Sequence, residues 1–397
     1  MSSVKDLDLL LQSFVDKGIP GCALKVVQNG TTLYEGYFGH SDTSGTPLTD
    51  KSVFRLASMS KIPLYTAMMM LYERGAFLLS DPVSTFFPEW ATSKKYVRHA
   101  NGYIDVVPTE HPVTIRDTLT MKCGLPYCNS DAPTADPTLQ GMQNCMKPLW
   151  EKGHYTLREQ IRAMADAPLA FEPGSHWLYG FSSELMAGLI EVLTEKPAEM
   201  AIKELLFEPL DMESSANFLF NDLESRLVKD YYLRPGKQLG EADALYIPTA
   251  EHEAKFVGKL GTVPGFARVI TNCRDYTKLM QMLANGGIHN GRRIIGRKTI
   301  DLIRSNTLTP TMIEEDFSNT YLAGYGYGYG MRTLMNRHVG QNNGNIGQFG
   351  WTGGSGTWAE ADPSTGVSVV YMHNLQPNLE EYHHLRMRAT AFGCLNN

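Results

Sequence analysis

The spacing of hydrophobic residues changes along the chain, and its first part predicts a helix followed by antiparallel sheet. Leucine and phenylalanine at positions 7, 10, 11 and 14 recur with the period of a helix, which predicts an amphipathic helix from Val4 to Asp16. Apolar stretches from Cys22 to Val27 and from Thr31 to Phe38 then flank Asn29-Gly30. This dipeptide favours a tight β-hairpin turn, because both residues tolerate the positive φ that the turn requires.

The middle of the chain, from residue 81 to residue 215, has mostly helical patterns. Thr114 to Asp117 and Thr156 to Glu159 both match a capping box, in which a threonine and an acidic residue three positions later satisfy backbone N–H groups at a helix start. A stretch rich in proline, aspartate and asparagine, 129–143, separates these two helices. Its composition predicts a loop.

Sheet patterns return near the C-terminus. Strands are predicted from Thr357 to Ala361 and from Gly366 to Met372, on either side of a turn at residues 362–365. A last helix is predicted from Leu379 to Phe392, with His383-His384 on its solvated face. The chain therefore ends, as it begins, with strands next to a helix.

This order of elements predicts the fold class. Sheet at both ends with helices between them implies an α/β fold of the α+β type, in which an antiparallel sheet is flanked by N- and C-terminal helices and a mostly helical lobe is inserted. We expect residues 1–80 together with 216–397 to form the α/β domain, and residues 81–215 to form the helical domain. A substrate cleft is expected between the two lobes.

Composition and charge exclude several classes of partner. The 397 residues are 43% hydrophobic and 20% charged with a net charge of −6, which predicts an ordinary globular protein without a surface for nucleic acid or anionic membranes. No apolar run reaches the roughly 20 residues that span a bilayer, and a cytoplasmic location is expected. The six cysteines and the histidines lack the spacing of metal sites, so we predict no metal and no cofactor.

The tetrad Ser58-Met59-Ser60-Lys61 carries the strongest chemical signal. It precedes a long apolar pattern that ends near Gly75, and Pro63 falls where a helix tolerates proline, in its first turn. A serine and a lysine three residues apart lie about one turn apart on the same helix face, so the lysine can reach the hydroxyl. Such a pair can make a nucleophile of the serine.

Two later segments add groups that can serve the same site. Tyr179 follows a turn that contains proline and glycine, and it precedes a helix that Ser182 or Ser183 can cap. Residues 350–357, Gly-Trp-Thr-Gly-Gly-Ser-Gly-Thr, lead into a strand, and their glycines allow a ligand to approach backbone N–H groups. Either segment alone is also compatible with a purely structural role.

In this order, the three segments resemble the motifs of the serine β-lactamase and penicillin-binding superfamily, which begin with Ser-x-x-Lys. The resemblance extends over nearly the whole chain and is closest to the class C β-lactamase-like hydrolases, in particular to the carboxylesterases called family VIII. These esterases replace a Lys-Thr-Gly motif by a glycine motif that begins with tryptophan, as residues 350–357 do. The resemblance implies a β-lactamase/transpeptidase-like fold and an acyl-enzyme mechanism.

The same resemblance implies a role for each catalytic residue. Ser58 attacks the ester carbonyl, and Lys61 and Tyr179 share the removal of its proton. Tyr179 then returns a proton to the leaving alcohol and activates the water that releases the acyl group. The backbone N–H groups of Ser58 and Gly354 hold the oxyanion.

Departures from the family pattern point to the substrate. Trp351 stands where penicillin-recognising enzymes carry lysine or histidine for a substrate carboxylate, and Phe181 stands where class C enzymes carry asparagine. Together with Gly353, these residues are expected to bind the substrate. Aromatic side chains in place of two polar anchors favour neutral esters, because an unpaired carboxylate is costly to bury.

We therefore expect a serine carboxylesterase that hydrolyses short- to medium-chain neutral esters, with a small-molecule ester as its partner and neither nucleic acid nor membrane; the sequence leaves the oligomeric state open. The alternatives are a β-lactamase or D-Ala-D-Ala carboxypeptidase, an acyltransferase of the same fold, and a non-catalytic ligand sensor. Ser130-Asp131-Ala132 is close to the Ser-Asp-Asn motif of class A enzymes, but it falls in the predicted loop, and Tyr179 already fills its role. The Gly-x-Ser-x-Gly nucleophile elbow of other esterases is absent from the sequence.

Overall fold

A seven-stranded antiparallel sheet joins the two ends of the chain. The computed structural model describes residues 4–128, 133–153, 155–217, 222–248, 268–319 and 321–395. Their strands are β1 Gly21–Gln28, β2 Thr31–Gly39, β3 Val53–Arg55, β4 Lys94–Arg98, β5 Ile104–Pro108, β6 Tyr231–Leu233, β7 Leu245–Tyr246, β8 Ile270–Asn272, β9 Ile288–His289, β10 Arg292–Arg293, β11 Tyr325–Tyr327, β12 Arg332–Leu334, β13 Phe349–Thr352, β14 Trp358–Asp362, β15 Val367–Met372 and β16 Leu375–Gln376. The main sheet has the order β11-β12-β13-β14-β15-β1-β2, so the N-terminal hairpin lies beside the C-terminal strands.

Helices cover both faces of this sheet and form most of the middle of the chain. In the described residues they are α1 Val4–Asp16, α2 Lys61–Glu73, α3 Ile115–Leu119, α4 Pro137–Lys152, α5 Leu157–Ala165, α6 Ser182–Thr194, α7 Ala198–Ile202, α8 Cys273–Ala284, α9 Arg297–Ile303, α10 Pro310–Glu315 and α11 Glu380–Gly393. Short 3₁₀ turns are at Ala57–Ser60, Val83–Thr85, Pro88–Thr92 and Glu224–Arg226, and Lys203–Phe207 is a π-helical turn.

The register of the sheet assigns alternate residues to two apolar cores. Leu24 of β1 lies opposite Tyr371 of β15, and both pack in a cluster with α1 and α11. The adjacent pair, Ala23 and Met372, belongs to the larger cluster that contains α2 and α8. Successive side chains of a strand point to opposite faces, which produces this division. The α+β fold class expected from the sequence is confirmed.

Helix α6 forms the centre of the helical part. Its residues from Ser182 to Ile190 are all buried. A side chain at Gly188 would place its Cβ 2.0 Å from Ile161 Cδ1, so glycine allows α5 to pack closely against α6. The two predicted capping boxes are confirmed, since Thr114 and Thr156 each exchange hydrogen bonds with the acidic residue three positions later.

The loop predicted over 129–143 is wrong in its second half. Helix α4 begins at Pro137, because Asp136 accepts a hydrogen bond from the Thr138 N–H at 2.8 Å and thereby caps the helix. Proline at the first helical position loses no hydrogen bond. The residues that made the segment look like a loop therefore form the start of a helix.

The side-chain cap predicted for α6 is also wrong. The N-cap is Phe181, without a side-chain hydrogen bond, and both serines lie inside the helix. Ser182 Oγ is 3.0 Å from Cys123 Sγ, and Ser183 Oγ is 3.5 Å from Tyr65 Oη. These hydroxyls find partners in neighbouring elements, which the local sequence pattern does not contain.

Other sequence expectations are not settled by the fold. The boundaries proposed for the two domains stay a prediction, and Ser130-Asp131-Ala132 lies outside the described residues. Within the described ranges, no helix has the length and apolar character to cross a membrane. The cytoplasmic location stays a prediction.

The solvated face predicted for His383-His384 is wrong, because α11 packs these residues against the sheet. Both imidazoles and that of His373 are fully buried. His384 Nε2 lies 3.0 Å from the Gly356 carbonyl oxygen, and His373 Nδ1 lies 2.8 Å from Tyr371 Oη. Burial lowers the pKa of all three, that of His383 to about 4.

These buried imidazoles predict a loss of stability in mild acid. Unfolded histidines titrate near pH 6.5, whereas the folded ones stay neutral to lower pH, so the unfolded chain binds more protons as the pH falls below that value. We expect the free energy of unfolding, measured by urea titration, to decrease between about pH 6.5 and about pH 5, by up to about 1.4 kcal/mol per pH unit and histidine. His384→Gln should weaken this dependence, while His338→Gln, at an exposed position, should not. Equal stability at both pH values would contradict the expectation.

Candidate active site

A sharp turn between β3 and α2 presents Ser58. Ala57 has a φ of 47°, a value that non-glycine residues seldom adopt. The 3₁₀ turn Ala57–Ser60 follows, and α2 starts at Lys61. Ser58 is half-buried, whereas the next three residues are buried. The turn thus leaves the serine accessible and directs the lysine into the protein.

Lys61 lies in an aromatic environment without solvent, and its exposed fraction is 0%. Its Nζ donates a hydrogen bond to Tyr127 Oη at 2.9 Å. The same atom is 4.8 Å from the centre of the Tyr179 ring and 5.4 Å from the centre of the Tyr127 ring. Aromatic faces attract cations at such distances. The rings and the phenol oxygen therefore offset part of the hydration that a buried ammonium loses.

Tyr127 is the site residue that the sequence reasoning missed. It directly follows Gly124-Leu125-Pro126, a segment that matches the family at similar spacing, and that position was the available signal. Burial raises the pKa of the Tyr127 phenol well above its ordinary value, and the negative charge of Glu184 raises it further. Tyr127 is therefore a neutral phenol near neutral pH. Its oxygen can accept the hydrogen bond that Lys61 donates.

Tyr179 lies on the other side of Lys61 and is joined to the sheet. The indole N–H of Trp351 donates to Tyr179 Oη at 3.2 Å. The Tyr179 ring also contacts the Tyr127 ring edge-to-face, with centroids 5.4 Å apart. A donor directed at the phenol oxygen favours the phenolate form, which is the form in which a tyrosine can act as a base. Trp351 thus contacts the proposed base in addition to its expected place beside the substrate.

The structure brings most of the predicted residues together, although one contact is missing. Lys61, Tyr179 and Trp351 form a continuous cluster with Tyr127. No hydrogen bond joins the Ser58 hydroxyl to Lys61 or Tyr179, all three of which are described. Catalytic hydrogen bonds are often long in unliganded enzymes and shorten when substrate binds.

The glycine segment after β13 packs directly against the turn that carries Ser58. A Cβ on Gly353 would lie 2.0 Å from the Leu56 carbonyl oxygen, so only glycine fits there. Thr357 Oγ1 donates to that same oxygen at 2.9 Å. Gly354 is exposed, and in the described part of the chain its N–H has no hydrogen-bond partner. Such an N–H beside the serine turn fits the oxyanion role expected for Gly354.

Aromatic residues form the wall around these groups. Phe181 is 5% exposed and packs edge-to-face on Tyr127, with centroids 5.1 Å apart. Trp351 is also 5% exposed and contacts Tyr327, which lies against Trp177. Phe181 and Trp351 therefore expose only a small part of their side chains to a substrate, and other aromatic rings contact both of them.

Comparison with known proteins identifies the family. The model of the beta-lactamase family matches residues 7–392. The chain belongs to the beta-lactamase family. It is therefore a serine hydrolase, and the resemblance seen in the sequence is confirmed.

Relatives within this family differ in their described activities. Esterase EstB of Burkholderia gladioli is 29% identical over 202 residues, which cover 51% of this chain and 48% of EstB. A putative D-alanyl-D-alanine carboxypeptidase of Escherichia coli is 22% identical over 390 residues, 94% of this chain and 82% of the relative. The solved structure of EstCE1, described as a hydrolase with promiscuous acyltransferase activity, superimposes with a TM-score of 0.78 over 98% of both chains at 21% identity. The fold is shared with EstCE1.

The cluster around Lys61 predicts graded losses in kcat. If Lys61 and Tyr179 act as one unit, Tyr179→Phe and Lys61→Ala should each lower kcat by about 10²- to 10⁴-fold, and the double variant by little more. Tyr127→Phe removes only the acceptor of the Lys61 hydrogen bond and should lower kcat by about 10- to 100-fold. These values are measured by steady-state hydrolysis of a p-nitrophenyl ester.

Tyr327→Phe provides the matched control for these variants. Tyr327 is a buried phenol of the same aromatic wall, and its hydroxyl has no hydrogen-bond partner in the described structure. Its removal should leave kcat within about twofold. Equal losses in Tyr127→Phe and Tyr327→Phe, or additive losses in Lys61→Ala/Tyr179→Phe, would contradict the proposed unit.

Proposed function

We propose that the protein is a carboxylesterase that hydrolyses short- to medium-chain neutral esters through an acyl-enzyme on Ser58. The observation that carries this proposal is the hydrogen bond from Trp351 Nε1 to Tyr179 Oη. Trp351 occupies the strand position where penicillin-recognising enzymes hold a cation for a substrate carboxylate. Here the same position supplies an uncharged donor, and that donor is already directed at the proposed base.

In the proposed mechanism, Lys61 and Tyr179 share the removal of the Ser58 proton: Tyr179 Oη accepts it as Ser58 Oγ attacks the ester carbonyl, and the positive charge of Lys61 stabilises Tyr179 in the form that can accept it. Collapse of the tetrahedral intermediate breaks the bond to the alcohol, which leaves with a proton from Tyr179. Water then attacks the acyl-serine bond with help from the same two groups, and the free acid is released. The N–H groups of Ser58 and Gly354 stabilise the oxyanion in both steps.

The proposed preference for neutral esters follows from the side chains that surround Lys61 and Tyr179. Phe181 and Trp351 offer apolar ring edges, and the buried Glu184 adds a carboxyl group behind Lys61 that has one oxygen without a partner in the described structure. A substrate carboxylate that entered this environment would lose its hydration and would find no cation at position 351 to pair with it. An uncharged ester loses much less.

Arg268 favours a second candidate, a carboxypeptidase or β-lactamase of the same fold. It precedes Val269, whose N–H donates to Ser60 Oγ at 3.0 Å, so it lies close to the nucleophile turn. Burial lowers the pKa of Arg268 to about 10, which leaves it a cation near neutral pH. In the described residues, its Nη1 is buried without a hydrogen-bond partner. This guanidinium could pair with a substrate carboxylate in place of the missing strand lysine.

A direct comparison of substrates tests the proposal. With p-nitrophenyl butyrate we expect a kcat/KM at least about 10³-fold higher than with a chromogenic cephalosporin, because an anionic substrate loses about 4 kcal/mol of transition-state binding in this site. Ser58→Ala should abolish both activities without unfolding the protein. Trp351→Lys should narrow the ratio by supplying the missing cation.

Arg268→Ala separates the two candidates further. If the enzyme is an esterase, this variant should keep its activity on p-nitrophenyl butyrate. Comparable kcat/KM values for the two substrates in the unmodified enzyme, with selective loss of cephalosporin turnover in Arg268→Ala, would favour the second candidate. Product analysis with added alcohol would show whether acyl transfer, the third alternative, competes with hydrolysis.

A further inference from the structure

Side chains at the start of α11 hold the end of strand β13. Asn378 Nδ2 donates to the Gly353 carbonyl oxygen at 3.2 Å and to Glu380 Oε2 at 3.0 Å. Thr352 Oγ1 donates to the same Glu380 oxygen at 3.2 Å and accepts a hydrogen bond from Tyr321 Oη at 2.5 Å. Two consecutive residues of the strand end, 352 and 353, are thus bound by one Asn–Glu pair.

Two hydrogen bonds to the Gly353 carbonyl, from Asn378 Nδ2 and from the Gly356 N–H at 2.9 Å, hold the direction of the next N–H group. The Gly353 carbonyl and the Gly354 N–H belong to the same peptide unit, which is planar and trans, so the two groups point in opposite directions. Asn378 and the Gly356 N–H hold the carbonyl in one direction within this plane. The Gly354 N–H therefore points in the opposite direction, and Gly354 is exposed.

The Asn–Glu pair is itself held in place. Glu380 is the first residue of α11, where the helix dipole favours a carboxylate. Leu379 between the two residues has a φ of 48°, in the left-handed region, so the backbone bends to place both side chains on the strand. Glu380 N–H donates to Asn378 Oδ1 at 3.3 Å and closes this small unit.

A buried ionic cluster lies next to the Asn378–Glu380 pair, on the side of the sheet. The Arg332 guanidinium lies 4.3 Å from the centre of the Tyr321 ring, whose hydroxyl contacts Thr352. Arg332 and Arg388 lie 3.3 and 3.2 Å from Glu360 Oε1, and all three are almost completely buried. Burial raises the pKa of Glu380, and the positive charge of Arg332 opposes this increase.

We propose that Asn378 and Glu380 are positioning residues that direct the Gly354 N–H into the oxyanion hole. The inference rests on the proposed function, because it uses the oxyanion role of Gly354. Neither side chain needs to touch the substrate. Their contribution is to keep the Gly353–Gly354 peptide plane fixed while negative charge develops on the substrate oxygen, where a preorganised donor is most effective.

The test compares variants that keep or remove the hydrogen bonds. Asn378→Ala should lower kcat by about 10- to 100-fold with little change in KM, because the donor acts mainly in the transition state. Glu380→Ala should give a smaller loss, and Glu380→Gln should restore activity, because an amide oxygen can still accept both hydrogen bonds. Glu381→Ala is the matched control: it removes a carboxylate from the same turn of α11, at an exposed position.

A transition-state analogue gives the readout that a merely structural role would not change. Affinity for an alkyl trifluoromethyl ketone, whose hemiketal oxyanion occupies the hole, should fall in parallel with kcat/KM in Asn378→Ala while the melting temperature stays near that of Glu381→Ala. Retention of both kcat and ketone affinity in Asn378→Ala would overturn the proposal. If that variant does not fold, equal activities of Glu380→Ala and Glu380→Gln would overturn it instead. Failure of the proposed function would appear separately, as an unmodified enzyme without esterase activity.

Discussion

Burial of the Lys61 side chain is the constraint on which the site depends. An ammonium group without solvent loses hydration worth on the order of several kcal/mol, which neighbouring groups must replace. Tyr127 supplies a hydrogen-bond acceptor at 2.9 Å, and the Tyr179 ring supplies an aromatic face at 4.8 Å. Both tyrosines come from the helical part of the chain, whereas Lys61 begins a helix that follows strand β3. Accommodation of one cation therefore brings the two parts of the fold together.

Strand β13 connects this cluster with the rest of the protein. Trp351 donates to Tyr179, and Gly353 packs against Leu56 in the turn that carries the nucleophile. The same strand end is held by α11, the last helix of the chain. The proposed base, nucleophile and oxyanion donor thus all contact this strand end, which belongs to the sheet that the N- and C-terminal segments form together.

Much of this arrangement could be predicted from the sequence because it depends on local spacing. The hairpin at Asn29-Gly30 and the two capping boxes follow from contacts within a few residues. Tyr127 could not be assigned in this way, since its role depends on a contact with a lysine 66 positions away.

The errors have the same physical origin. His383 and His384 are polar residues that reasoning from composition places in solvent, yet α11 buries them against the sheet with the Gly356 carbonyl as one partner. Ser182 and Ser183 are residues that often cap a helix, but their partners, Cys123 and Tyr65, lie far away along the chain. The burial and the hydrogen-bond partners of these residues depend on tertiary packing. The local sequence pattern does not contain that information.

The central claim is that Ser58 is the nucleophile and that the Lys61 cluster activates it. Incubation with diethyl p-nitrophenyl phosphate, followed by peptide mass spectrometry, tests it most directly, because the phosphoryl group remains on the attacking atom. The account predicts stoichiometric release of nitrophenolate and a diethylphosphoryl group on the peptide that contains Ser58, with the rate greatly reduced in Lys61→Ala. Modification of a different residue, or an unchanged rate in Lys61→Ala, would contradict it.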